Sequence, residues 1–352
     1  MAYTTIDDPE QFFQNVLYTG NGGTQDITLP GDTDLQPDLI WTKGRDIAAG
    51  SILTDSARGI NKQIQAASGA VEETLTTVHT AFNSDGFSLG SNGNVNTNGN
   101  TYVGWCWKAG TSFTNNASTN GADLASAGNY NRTSGLSIVT FTGNATADQD
   151  IYHGLNAIPE WMVLKNRTNS NNESWAIYHQ GIGNTHKLNL NTTSAKSDDI
   201  EFWQDTTPTS TILTIGRQDQ VNGSGNTHVV YCWAPIKGFS KFGTYTGNGN
   251  VDGPFVYTGF KPAWVITKES SGTGHWRIRD NKRFDQVNPI DKVLYSNATT
   301  GETDEDNTDF LSNGFKIRTT GGENNGSGDS YIYAAFAESP FANSNGLPTT
   351  AR

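Results

Sequence analysis

Hydrophobic positions in this chain come in short runs rather than long helical stripes. Tyr102-Val103-Gly104-Trp105-Cys106-Trp107 is apolar at nearly every position, and Ile138-Val139-Thr140-Phe141 departs from that only at Thr140. Runs rich in Val, Ile, Tyr, Trp and Thr, separated by Gly, Asn and Pro, are strand and turn signals. A strand that is apolar on both faces lies between two layers. The pattern predicts β-sandwiches of antiparallel strands with their sheets about 10 Å apart. Helical spacing occurs only over Asn61 to Phe82, where Ile64, Val71, Leu75 and Val78 line up loosely. Two readings stand there: a short helix, or strands like the aligned Lys187-Leu188-Asn189-Leu190 and Lys292-Val293-Leu294-Tyr295.

The runs repeat. Tyr18-Thr19-Gly20-Asn21-Gly22 recurs as Phe141-Thr142-Gly143-Asn144-Ala145 and as Tyr245-Thr246-Gly247-Asn248-Gly249. Each copy precedes an apolar run that opens on proline and ends on lysine: Pro37 to Lys43, Pro159 to Lys165, Pro262 to Lys268. A second lysine follows at Lys62, Lys187 and Lys292, and each unit closes on an aromatic strand at 102–107, 228–233 and 331–336. Ordered self-similarity of this kind marks tandem units, and units of roughly 100 residues are large enough to own a core. The expected fold is all-β with little helix: three tandem β-sandwich domains, jelly-roll or concanavalin-like. Their bounds are 1–110, 136–236 and 241–341, with a tail at 342–352. Residues 111–135, rich in Asn, Ser, Thr, Gly and Ala, read as a polar surface linker; a long ordered loop inside a domain is the alternative.

Composition narrows the function classes. The 352 residues carry a net charge of −12, with 16% charged and 11% aromatic residues. The aromatic content argues against disorder. The acidity makes nucleic-acid phosphate a poor partner. No apolar run reaches the ~20 residues of a membrane span. The start, Met1 to Asp8, has neither the basic nor the apolar region of a secretory signal. Cys106 and Cys232 occupy one slot of two repeats, filled by Ala335 in the third. A small buried position explains all three, so two free, buried thiols are expected.

Catalytic constellations are not found: no Gly-x-x-x-x-Gly-Lys-Ser/Thr, no Gly-x-Ser-x-Gly, no His-Glu-x-x-His. His153, His179 and His275 lack partners at useful spacing and read as structural or surface residues. Asp198-Asp199 and Asp304-Glu305-Asp306 are the densest carboxylate clusters. Glycosidase chemistry needs two carboxylates and calcium takes hard oxygen ligands, but solvated acidic loops explain both clusters. No cofactor is expected, and calcium has no further support. Trp203, without a counterpart in the other repeats, is the candidate carbohydrate-binding residue, because an exposed indole beside Asn and Asp suits a sugar ring. Trp175 and Trp276 align between repeats and read as core.

Tyr-Thr-Gly-Asn-Gly (18–22), Pro-Asp-Leu-Ile-Trp-Thr-Lys (37–43), Ser-Asp-Gly-Phe-Ser-Leu-Gly (84–90), Tyr-Val-Gly-Trp-Cys-Trp-Lys-Ala-Gly (102–110) and Tyr-Ile-Tyr-Ala-Ala-Phe-Ala-Glu-Ser-Pro-Phe (331–341), with the opening Met1 to Ile6, form a recognisable set. The chain resembles a repeat-containing family encoded by marine tailed bacteriophages, including those of cyanobacteria and abundant ocean bacteria. The resemblance runs from the first residue to about Phe341. It implies a non-enzymatic virion protein on the particle exterior: a capsid decoration or head fibre, or a short tail fibre. The expected partners are phage capsid or tail proteins and its own copies as a homotrimer. A receptor-binding adhesin for host surface glycans is the alternative, and a glycan depolymerase a third. An N-terminal virion anchor would be Met1 to Gln14 or the first domain.

Overall fold

A computed structural model describes residues 2–283 and 288–349. It is nearly all β, with 43% strand and four short helices. Each repeat is a sandwich of one large and one small antiparallel layer. In the first unit the large sheet runs Phe13–Thr19, Thr101–Trp107, Leu39–Gly44, Ile52–Asp55, Lys62–Gln65, Glu73–Thr74. Its small sheet is Gln25–Ile27, Gly86–Leu89 and His79–Asn83. The second unit repeats the order with Leu136–Thr142, Thr227–Trp233, Trp161–Asn166 and Ala176–His179, covered by Gln149–Tyr152 and Ile212–Ile215. The third links both layers into one eight-stranded sheet that begins at Ser240–Thr246 and ends at Phe255–Tyr257. The proline-to-lysine runs are strands in every unit. Asn61 to Phe82 resolves into strands and turns, so the strand reading holds and the helix does not form.

The repeated Thr-Gly-Asn motif has a steric cause. A Cβ on Gly20 would stand 2.3 Å from the Thr97 carbonyl oxygen, one on Gly143 2.5 Å from that of Gly223, and one on Gly247 2.2 Å from that of Gly326. Only glycine allows that backbone approach. The turn it meets holds a buried asparagine in each unit. Asn96 Nδ2 donates to the carbonyls of Gly90 and Gly23, while its Oδ1 accepts from the Asn21 amide. Asn222 and Asn325 repeat this pattern.

The three sandwiches are not laid end to end. Their large sheets turn one face outward onto the small layer and the other onto the sheets of the neighbouring units. The outward face of the first unit packs Val16, Ile40, Tyr102 and Cys106 against Ile27, Phe87 and Leu89. The inward faces share one core that takes Trp41, Trp105 and Trp107 from the first unit, Trp161 and Trp233 from the second, and Trp264 and Phe336 from the third. Trp264 has ring centroids of all three units within 6.4 Å, among them Trp105, Trp107 and Trp161. Strands apolar on both faces do lie between two layers, but the second layer is another unit. The three tandem units therefore close into a ring with approximate threefold symmetry and share a core instead of standing as separate domains.

One further expectation changes. Residues 111–135 are not a linker: Thr111–Asn115 and Ser126–Asn131 extend the large sheet of the second unit beyond Leu136–Thr142. The Asn, Ser and Thr content is that of a half-exposed edge hairpin, which composition alone does not separate from a tether. The N-terminal stretch is docked, with Thr4 Oγ1 donating to the Lys237 carbonyl at 2.8 Å and Ile6 buried in the shared core.

Candidate functional site

The ring closes through one set of locks used in three variants. Asp55 and Arg58 form a fully buried pair at 2.5 Å, and Asp280 and Arg283 its equivalent at 2.6 Å. Each aspartate reaches another unit: Tyr231 Oη donates to Asp55 Oδ2 at 2.7 Å, and Trp105 Nε1 to Asp280 Oδ2 at 2.9 Å. The second unit has His179 in that slot. Its Nδ1 accepts from the Gly181 amide, which leaves Nε2 to donate to the Tyr333 carbonyl at 3.0 Å. Burial holds His179 neutral, pushing its pKa down to about 4. Arg58 is pushed above its ordinary value; the cost of burial is outweighed by Asp55, Tyr231 and Glu72.

Two of the three repeat lysines belong to the same seams. Lys43 Nζ donates to the Ala298 carbonyl of the third unit at 2.7 Å, and Lys165 Nζ to Gly69 of the first unit at 2.9 Å. Lys268 stays within its own unit, donating to Glu269 and Gly272. Burial lowers all three to about 8. Trp175 and Trp276 are buried and donate across seams, to Gln65 and Ser68 and to Asn189 respectively.

The three seams differ at their mouths. The position after the buried acid or histidine is Ser56, Gln180 or Asn281, facing the first strand of the next unit in the ring. At the seam of units one and two, the 111–131 hairpin covers this mouth, and Asn129 Nδ2 donates to Ser56 Oγ at 2.5 Å. At the seam of units three and one, a cavity of about 120 Å³ is lined by Gln14, Asn15, Asn281 and Glu338. Its amides largely satisfy each other, with Asn15 Nδ2 donating to Asn281 Oδ1 at 3.0 Å and Asn281 Nδ2 to Glu338 Oε2 at 2.9 Å.

The seam of units two and three holds a groove of about 440 Å³. Tyr3, Glu160, Gln180, Lys237, Lys241 and Tyr257 line it. Tyr3 Oη donates to the Gly259 carbonyl at 2.7 Å and lies 3.2 Å from Tyr257 Oη. Lys237 Nζ sits 4.6 Å over the Tyr3 ring and Lys241 Nζ 5.2 Å over that of Tyr257. Burial pushes the Glu160 carboxyl up, with Lys241 acting against it.

The residues singled out from sequence lie elsewhere. Trp203, the carbohydrate candidate, is 1% exposed on the short helix Ile200–Trp203 and packs edge-on against Tyr178 in the outer core of the second unit. It offers no ring face to a ligand, and that assignment is corrected. Its isolation in the repeat reflects a helix the other units lack at that point. Asp199 caps that helix by accepting from the Glu201 amide. Asp304 pairs with Lys292, and Glu305 accepts from Tyr295 Oη at 2.6 Å; the Asp306 side chain lies outside the described residues. No group of three His, Cys, Asp or Glu among the described residues is placed to hold a metal ion. Cys106 and Cys232 are free and buried. His153 is buried, and His275 stacks on Tyr295 at 4.4 Å.

A family model described as a domain of unknown function, DUF7483, matches residues 8–340. The chain belongs to the DUF7483 family. One match spans all three sandwiches, so the DUF7483 unit is the closed ring rather than a single repeat. No curated protein and no solved structure matches the chain. The strand beside the groove departs from the repeat at one exposed position. Gln25–Ile27 and Gln149–Tyr152 carry Asp26 and Asp150 where the third unit has Phe255, in register beside the inward Ile27, Ile151 and Val256.

Proposed function

We propose that this DUF7483 protein is a non-enzymatic structural protein displayed on the exterior of a tailed-phage particle, as a capsid decoration, head fibre or short tail fibre. The resemblance to marine phage proteins supplies the context. The observation that carries the reading is the lock set. Most of the buried Asp, Arg, His, Lys and Trp side chains at equivalent repeat positions are spent on joining one unit to the next. Such an arrangement suits a block that has to stay closed outside the cell. An acidic, polar exterior keeps such a block from associating nonspecifically. The ring also supplies, within one chain, a threefold arrangement; a homotrimer would set three such rings together through surfaces outside the seams.

Mass spectrometry of gradient-purified particles tests the assignment: the chain should co-purify at fixed stoichiometry with the capsid protein, and its absence from particles refutes the reading. Cryo-electron microscopy then places it on head or tail. Light scattering of the isolated chain tests the trimer, which requires three times 38.0 kDa.

A further inference from the structure

We propose that the groove between the second and third units binds a saccharide, with Tyr257 as the stacking platform and Glu160 and Gln180 reading the hydroxyls. This is a recognition function added to the display role and independent of it. Tyr257 and Phe255 are 49% and 45% exposed on one face of an edge strand. The equivalent flanking positions are Asp26 and Thr28 in the first unit and Asp150 and Tyr152 in the second. The first unit does without an aromatic residue at either position, and the second keeps one, Tyr152, at the position of Tyr257. Tyr3 fixes the Tyr257 hydroxyl, and Gly259, at φ +86°, lets the Tyr3 hydroxyl lie close: a Cβ there would approach it to 2.9 Å.

A sugar ring presents an apolar C–H face and a rim of hydroxyls. Aromatic faces take the first; a carboxylate and a planar amide take the second. The groove has these types together, with two lysines at its wall. A second copy of the chain is the less suitable occupant. Strand-to-strand docking needs free backbone at the edge, and Lys241 already donates to the Tyr257 carbonyl at 2.7 Å. A lysine placed there blocks edge pairing.

Affinity electrophoresis of the intact chain through gels containing dextran, galactomannan or alginate tests the proposal. Retardation is expected in at least one gel, with retardation in alginate alone pointing to the lysines as partners of an acidic sugar. Tyr257→Ala should weaken binding at least tenfold, while Thr28→Ala, at the matching surface of the first unit, leaves it unchanged. The proposal is overturned if no gel retards the protein, if Tyr257→Ala runs like the parent, or if light scattering shows a dimer that Tyr257→Ala dissociates.

Discussion

The two faces of a single strand obey different packing rules. Along Thr101–Trp107, Tyr102 and Cys106 point at the small sheet of their own unit, whereas Trp105 and Trp107 point at the other units. The outward slot is small in every repeat: Cys106, Cys232, Ala335. The next residue along, on the inward face, is large: Trp107, Trp233, Phe336. A small sheet can settle close onto its partner, and Gly104 shows how close, since a Cβ there would lie 3.2 Å from the Phe87 ring. Three sheets meeting around an axis leave a wide interior that only indole and phenyl rings fill. Private cores thus give each unit its sandwich, and the shared core makes three sandwiches one cooperative body.

The largest effect should come from the shared core. Trp264→Ala removes a ring that touches Trp41, Trp107, Trp161 and Phe336 and should cost about 3–5 kcal/mol. All three units should lose stability together. Denaturant unfolding followed by circular dichroism and tryptophan fluorescence checks this; two separated transitions would show that the units fold independently.

The seam locks come next. Arg58→Ala strands a buried Asp55 carboxylate and should cost about 3–5 kcal/mol. His179→Ala removes a neutral donor from the same slot of the second unit and should cost about 1–3 kcal/mol, the penalty of an orphaned buried carbonyl. Equal losses would mean that the ion pair is no more demanding than the imidazole.

How far these features were legible follows from the same contrast. The strands, their order and the buried cysteine slot are written in local pattern, because apolar runs and turn glycines act over a few residues. Ring closure is not, because a tryptophan covered by a neighbouring unit reads the same as one covered by its own sandwich. Asp-x-x-Arg at 55–58 and again at 280–283 was a visible clue to the lock. So was Asn followed three residues later by Gly, at 96, 222 and 325, where the glycines have φ of +81°, +71° and +85°. Trp203 misled because uniqueness within a repeat marks a local insertion as readily as a binding site.

Acid should act unequally on the units. Burial holds His153, His179 and His228 near 4 and His79 near 3, against about 6.5 in the unfolded chain. Between pH 6.5 and 4 the unfolded chain binds more protons than the folded one, so stability falls as pH falls through that window. Three of these four histidines belong to the second unit. Hydrogen exchange at pH 4.5 should expose amides of Trp161–Asn166 and Thr227–Trp233 before those of Leu39–Gly44; uniform loss across the three sheets would instead mean that the shared core transmits protonation to every unit.

The smallest effects probe the outward slot. Cys232→Leu adds volume where Met162 and Val230 already close the private core and should cost about 1–3 kcal/mol. Cys106→Ala, which copies the third unit's Ala335, should cost only about 1 kcal/mol. Both thiols are pushed well above their ordinary range by burial, so neither should react with iodoacetamide in the native protein. The order of the two substitutions is the informative part. If leucine is accepted as readily as alanine, the small sheet lifts away at little cost, and the private cores hold the sandwiches less firmly than the ring holds the units.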